Sequence, residues 1–217
     1  MPAEAPAVLA EEAKKQRAAM VHYSTDYVFD GKKGTVYVEE DTPAPLNIYG
    51  ETKLAGEQNV HQYGEAYWIF RTSWVYSSRR DSFVSKVMEW ARQKKNLKIV
   101  ADQVGSPTWC RMLAEISTLA LVKGGHDPHE WVKQTTGLYH LSGSGSATRL
   151  EWAQEILAND PHADEQMAEE ILPAQTSEFP TPAVRPLYAP MSCTRFERTF
   201  DLSLPDWKTA LKLMMAG

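Results

Sequence analysis

Three short apolar runs, each preceded by a helix-patterned segment, limit the folds open to this chain. "AMVHYS" follows a segment rich in Ala, Glu, Lys and Leu, "EAPAVLAEEAKKQRAAM". "AYWIFRTSWVY" follows a helix expected over residues 47–63 and stopped near Gly64, and "LKIVAD" follows "SFVSKVMEWARQK". Strands joined by helices run parallel, so the alternation predicts an α/β fold with a parallel sheet. After Gly105 the pattern changes. Helical "TWCRMLAEISTLALVKGG" and "TRLEWAQEILAN" flank a short strand, "GLYHLSG". The stretch "LPAQTSEFPTPAVRPLYAP" has too many prolines for a central strand or helix interior, and reads as ordered loop with short edge strands. "PDWKTALKLMMAG" is the last helix.

Composition removes several function classes. With 217 residues, 43% of them hydrophobic, the chain can build one sizeable core or a domain with a subdomain. A net charge of −5 argues against sequence-independent nucleic-acid binding. No apolar run approaches the ~20 residues of a membrane span. The first twenty residues lack the basic and apolar blocks of a signal peptide. Two cysteines, Cys110 and Cys193, exclude a disulfide scaffold and point to free thiols in a cytoplasmic protein.

The segment "PLNIYGETKLAGE" places Tyr49 and Lys53 four residues apart on an expected helix. Residues so spaced share one helix face, about 6 Å apart along the axis. A free phenol is too weak an acid for efficient proton exchange at neutral pH, and a nearby ammonium favours its phenolate. Such a pair suits a reaction in which a ketone accepts hydride and its oxygen needs a proton. Taken alone the spacing is more often ordinary helix surface. "STDYVF" adds hydroxyls, Ser24 and Thr25, just after an apolar strand, and ligands of open α/β sheets bind at the carboxyl ends of strands. The plainer reading of these residues is turn initiation.

Together "VHYSTDYVFDG", "PLNIYGETKLAGE", "IFRTSWVY", "DQVGSPT", "GLYHLSG" and "PTPAVRPLYA" resemble the dTDP-4-dehydrorhamnose reductase family of the extended short-chain dehydrogenase/reductase superfamily, in the family's order and over nearly the whole chain. The resemblance implies a cytoplasmic enzyme that reduces dTDP-4-dehydro-L-rhamnose to dTDP-L-rhamnose with NADPH or NADH, for cell-surface polysaccharide such as O-antigen. It implies a truncated Rossmann-like sheet over residues 1–104 carrying the catalytic residues, and a smaller α/β part over 105–217 that binds the nucleotide sugar. Thr25 corresponds to the threonine that hydrogen-bonds the reacting carbonyl, Tyr49 to the general acid, and Lys53 to the lysine that holds the nicotinamide ribose and tunes the tyrosine. Ser73 falls where the strand end approaches the nicotinamide. The resemblance also implies that Thr25, Tyr27, Trp74, Gly105, Pro107, Thr108 and Arg185 contact the substrate. Trp74 reads equally well as core packing, and an arginine such as Arg185 suits phosphate oxygens.

The departure from the family lies at the start. A dinucleotide fold begins with a strand, a Gly-rich turn and a helix, and nothing before Val21 supplies them. The expectation is a C-terminal fragment lacking the adenosine and pyrophosphate half of the cofactor site. Such a fragment would bare sheet edge and apolar helix faces, and self-association, as a homodimer for example, follows. A non-catalytic binding or regulatory role is therefore a competing reading. A related sugar-nucleotide dehydratase or epimerase is another, but dehydratases typically place Asp-Glu after the threonine, whereas Thr25 precedes Asp26 and Tyr27. The Gly143-x-Gly145 pair in "LSGSGSATR" reads as a turn with Ser146 or Thr148 capping the next helix, rather than as a phosphate loop. His126 and His129 lack a third metal ligand. The family is associated with magnesium, for which the sequence offers no position.

Overall fold

The computed structural model describes residues 4–216. The chain runs α1 (Glu4–Lys15), β1 (Met20–Thr25), α2 (Ile48–Tyr63), β2 (Tyr67–Thr72), β3 (Val75–Tyr76), α3 (Phe83–Gln93), β4 (Asn96–Val100), β5 (Val104–Gly105) and β6 (Thr108–Trp109). It continues with α4 (Cys110–Val122), α5 (Pro128–Gln134), β7 (Gly137–His140), β8 (Ala147–Thr148), α6 (Arg149–Ala158), β9 (Glu170–Ala174), α7 (Thr194–Phe200) and α8 (Trp207–Met215).

The main sheet is parallel, in the order β1-β2-β7. β2 is central and buried along its whole length, which is why "YWIFRT" reads as an almost unbroken apolar run. Its side chains alternate between faces. Trp68 and Phe70 enter a core with Leu113 and Ile116 of α4 and Phe196 and Phe200 of α7. Tyr67 and Ile69 pack on the other face against Val60 of α2. Arg71 lies on that second face too, and meets Glu57 one turn before Val60.

Alternation alone puts "LKIVAD" into the same sheet, and the structure corrects this. β4 forms a separate parallel pair with β9, from Asn96↔Glu170 to Val100↔Ala174. Its one-sided burial explains the difference: Leu97 and Ile99 face a second core with Val87 of α3 and Trp152 and Ile156 of α6. β9 tolerates Pro173 because each strand of a two-stranded sheet has a free edge. Both cores draw residues from either side of residue 104.

Local chemistry sets the ends of the helices near the site. Asn47 caps α2, its side chain accepting from the Gly50 N–H at 2.9 Å. Gly50 is needed for space: a Cβ there would lie 2.2 Å from the Tyr27 carbonyl oxygen. The Gly143–Gly145 segment bends, with Gly145 at φ +87° and Ser144 bridging to Asp206. Thr148 then caps α6 in a reciprocal box with Glu151, as the sequence suggested.

Candidate active site

β1 and β2 run parallel and in register, so Thr25 and Thr72 end side by side. The chain beyond each strand, Asp26–Tyr27 and Ser73–Trp74, turns over the same end of the sheet. There a cavity of about 320 Å³ is lined by Thr25, Asp26, Tyr27, Tyr49, Ser73 and Trp74, with Arg149 at its far wall. Tyr49 is half exposed and its ring meets Tyr27 edge-on, with centroids 5.6 Å apart. Lys53, one turn along α2, lies outside this cavity: its Nζ donates to the Tyr23 carbonyl at 2.5 Å. Burial lowers the Lys53 pKa, and the Glu57 carboxylate opposes that. An ammonium carries three donors, so Lys53 retains donors for a ligand hydroxyl.

Asp26 is buried beside Thr25. Its Oδ1 accepts from Thr25 Oγ1 at 3.1 Å and its Oδ2 from Ser73 Oγ at 2.7 Å. Burial pushes its carboxyl up to about 6, against the pull of these hydrogen bonds and of the Arg149 charge. A folded-state value above the unfolded value of ~3.9 makes the native protein the tighter proton binder. The resulting stability is complete below about pH 4 and lost as pH rises through about 6. Raising a carboxyl from about 4 to about 6 corresponds to about 3 kcal/mol. Denaturant unfolding across this window should show that decline in the parent chain and not in Asp26→Asn.

Trp74 adopts φ +41°, a backbone conformation that is strained for a side chain of its size. Its indole stacks on Trp152 (5.5 Å, 18°), and the Arg149 guanidinium sits 3.6 Å from its ring centroid. It therefore packs in the core and lines the cavity at once. Gly105 allows this, since a Cβ there would lie 2.5 Å from Trp74 Cε2. Gly105→Ala should displace the indole and cost about 1–3 kcal/mol, measurable by urea unfolding followed by tryptophan fluorescence.

Through Trp74, Val75 and Arg149 the cavity beside Tyr49 adjoins a second of about 500 Å³. Its walls combine the cations Lys86, Arg149 and Arg185 with the aromatic faces of Phe83, Trp90 and Trp152. Flat rings and cations together suit a base and a diphosphate. Arg149 rests on the Trp74, Phe83 and Trp152 rings, and burial lowers its pKa to about 10, leaving it charged at neutral pH. The Arg185 loop is tied to the start of α2 by the bond from Asn47 Nδ2 to the Val184 carbonyl, at 2.7 Å.

The structure thus brings Thr25, Tyr27, Tyr49, Ser73 and Trp74 into one cavity, and Arg185 into its neighbour. Pro107 and Thr108 are buried outside both. Thr108 Oγ1 donates to the Ser106 carbonyl and accepts from the Gly143 N–H, and the Pro107 carbonyl closes on Gly143, so both residues pack against the Gly143 segment. Sequence reasoning weighed Asp26 only as a turn former or dehydratase residue, and missed Arg149, which nothing in "ATRLEW" advertises as a site residue.

An apolar recess of about 300 Å³, lined by Tyr23, Thr72, Val75, Cys110 and Leu113, shares Thr72 and Val75 with the cavity beside Tyr49. With Ser73, Tyr49 and the remaining donors of Lys53 it fits the nicotinamide–ribose end of NADPH. Among the described residues no group of three or more His, Cys, Asp or Glu converges on one position.

A threonine at the end of a parallel strand, with a Tyr-x-x-x-Lys helix crossing above it, defines a protein of the short-chain dehydrogenase/reductase class. A family model described as the RmlD substrate binding domain matches residues 1–217. The dTDP-4-dehydrorhamnose reductase of Burkholderia thailandensis is 38% identical over 213 residues, covering 97% of this chain and 71% of that protein. That of Escherichia coli K12 is 37% identical over 208 residues, covering 95% and 68%. The crystal structure of the Bacillus anthracis reductase in complex with NADP matches with a TM-score of 0.85 at 31% identity, covering 100% of this chain and 72% of that one. This chain belongs to the dTDP-4-dehydrorhamnose reductase family.

Proposed function

We propose that the chain reduces dTDP-4-dehydro-L-rhamnose to dTDP-L-rhamnose with NADPH, for dTDP-rhamnose biosynthesis. The observation that carries this is the shared cavity of Thr25 and Tyr49 at the sheet's carboxyl end, opening into a cavity of cations and aromatic faces. In this reading the aromatic walls hold the thymine, Arg149 and Arg185 hold the diphosphate, and the 4-ketosugar extends past Trp74 toward Thr25. Bound NADPH supplies the hydride. As the carbonyl carbon gains it, the oxygen takes up negative charge, and the Tyr49 O–H gives its proton to that oxygen. Thr25 hydrogen-bonds the same oxygen, and Lys53 steadies the cofactor ribose. Residues 1–104 supply the catalytic groups in this reading, and the nucleotide-sugar contacts come from both sides of residue 104, Trp74, Phe83 and Trp90 on one and Arg149, Trp152 and Arg185 on the other. The two free thiols, Cys110 and Cys193, suit a reducing cytoplasmic compartment. Among the described residues no helix is long and apolar enough to cross a membrane.

The test is incubation of the purified chain with NADPH and dTDP-4-dehydro-L-rhamnose. Loss of NADPH matched by appearance of dTDP-L-rhamnose supports the reading. Absence of turnover together with absence of NADPH binding at millimolar cofactor rejects it in favour of a non-catalytic role.

A further inference from the structure

The catalytic cavity contains a buried carboxylate, Asp26, that hydride transfer and protonation by Tyr49 leave without a task. Its place is defined by Thr25. The threonine Oγ1 has one proton, which it gives to Asp26 Oδ1, while its lone pair accepts from the Tyr27 N–H at 3.2 Å. Ser73 commits its own proton to Asp26 Oδ2. With Asp26 ionised, both hydroxyl protons point at the carboxylate. Thr25 then turns only lone pairs toward the cavity, so it can accept from an alcohol but cannot donate to a ketone. With Asp26 protonated, the carboxylic acid can itself donate to Thr25 Oγ1. The threonine hydrogen is then released toward the cavity, where a carbonyl can accept it.

We propose that Asp26 is a positioning residue that turns the Thr25 hydroxyl between a ketone-binding and an alcohol-binding setting by gaining or losing one proton. This rests on the reductase reading above. The groups facing Asp26 are consistent with a switch near neutral pH. Arg149 at the start of α6 favours the ionised form, while Thr25 at the end of β1 and Ser73 after β2 are neutral donors. Tyr27 lies alongside, with its own pKa raised by burial against the pull of Arg185, and stays a neutral phenol. Tyr49 reaches the same cavity from α2. Burial outweighs the Arg149 charge, so the carboxyl exchanges its proton near pH 6 rather than near 4. The same proton that readies Thr25 for the ketone is lost most easily when the product alcohol can donate to Thr25 in its place.

The test needs no cofactor. Dissociation constants for dTDP-4-dehydro-L-rhamnose and dTDP-L-rhamnose are measured by titration calorimetry, with dTDP alone as control. From about pH 5 to about pH 8 the preference for ketone over alcohol should fall about three- to tenfold in the parent chain, the size of one net hydrogen bond. Asp26→Asn keeps the shape, and its amide can donate to Thr25 permanently. That variant should hold the ketone equally well across the range. Thr25→Val should bind both sugars with a flat ratio. A parallel pH response of the two sugars in the parent chain overturns the inference, as does an unchanged response in a folded Asp26→Asn. Absence of dTDP binding rejects the nucleotide-sugar reading itself, and this inference with it.

Discussion

Tyr49→Phe should lower kcat for ketone reduction by about 10²- to 10⁴-fold while leaving the affinity for the dTDP-sugar within about twofold. The loss corresponds to about 3–5 kcal/mol of barrier, the amount general acid catalysis by one positioned group contributes. The split between kcat and binding follows from where Tyr49 sits. It is half exposed at the rim of the cavity it shares with Thr25, and its packing partner is Tyr27, met edge-on. Phenylalanine preserves that ring contact and the helix around it, and removes only the proton. The base and diphosphate are held elsewhere, in the cavity of Arg149, Arg185 and the aromatic rings. Single-turnover assays with NADPH, alongside calorimetric binding of dTDP-L-rhamnose, measure both quantities. A kcat within tenfold of the parent would remove Tyr49 from the proton-transfer role. An equal loss in binding would mean that the phenol holds the substrate rather than protonating it.

How much of this arrangement was legible in the sequence depends on how local its causes are. α2, with Tyr49 and Lys53 one turn apart, is written in a helix pattern and an Asn cap, and both act within four residues. β1 and β2 announce themselves by continuous apolar runs, and Thr25 follows from standing at a strand end. Trp74 could be read only as an even choice between packing and binding, because it does both: a left-handed backbone seats it against Trp152 and beside the cavity. The partner of β4 was not legible, since pairing with β9 joins residues about seventy positions apart and includes a proline. Arg149 was hidden for a similar reason. Its ring partners Trp74 and Phe83 come from more than sixty residues away, and a lone arginine in a helix start looks like surface. Asp26 was visible as a residue but not as a buried one. Its environment is set by Ser73 and Arg149, and a sequence shows neither its burial nor its proton.

Arg71, next to the end of "YWIFRT", is a charge in a strand buried on both faces, and such a charge needs a partner. The partner is Glu57, one turn beyond Lys53 on α2. Arg71 Nε donates to Glu57 Oε1 at 2.9 Å and Nη2 to Oε2 at 2.6 Å, while Ser24 Oγ donates to Oε1 as well. Both charged residues are almost fully buried, at 3% and 4% exposure. Arg71 Nη1 has no hydrogen-bond partner, and its guanidinium lies 5.1 Å from the Phe29 ring centroid, so the carboxylate carries most of the compensation. Glu57→Ala therefore strands a cation in the core and should destabilise the fold by about 3–5 kcal/mol, far more than the loss of a surface pair. Glu57→Leu combined with Arg71→Met removes both charges and should recover most of that loss, because apolar side chains of similar volume replace a buried pair at little net cost. Urea unfolding of the parent, Glu57→Leu, Arg71→Met and the double variant gives the coupling directly. The double variant should still lose activity. Ser24 is adjacent to Thr25, and Glu57 is the acidic neighbour that opposes the effect of burial on Lys53. The ion pair thus joins the end of β1 to the face of α2 that carries Lys53, and a stable fold without it leaves Thr25 and Lys53 less firmly placed. A Glu57→Ala loss below about 1 kcal/mol would mean that water or another group reaches Arg71, and that the strand end does not depend on this pair.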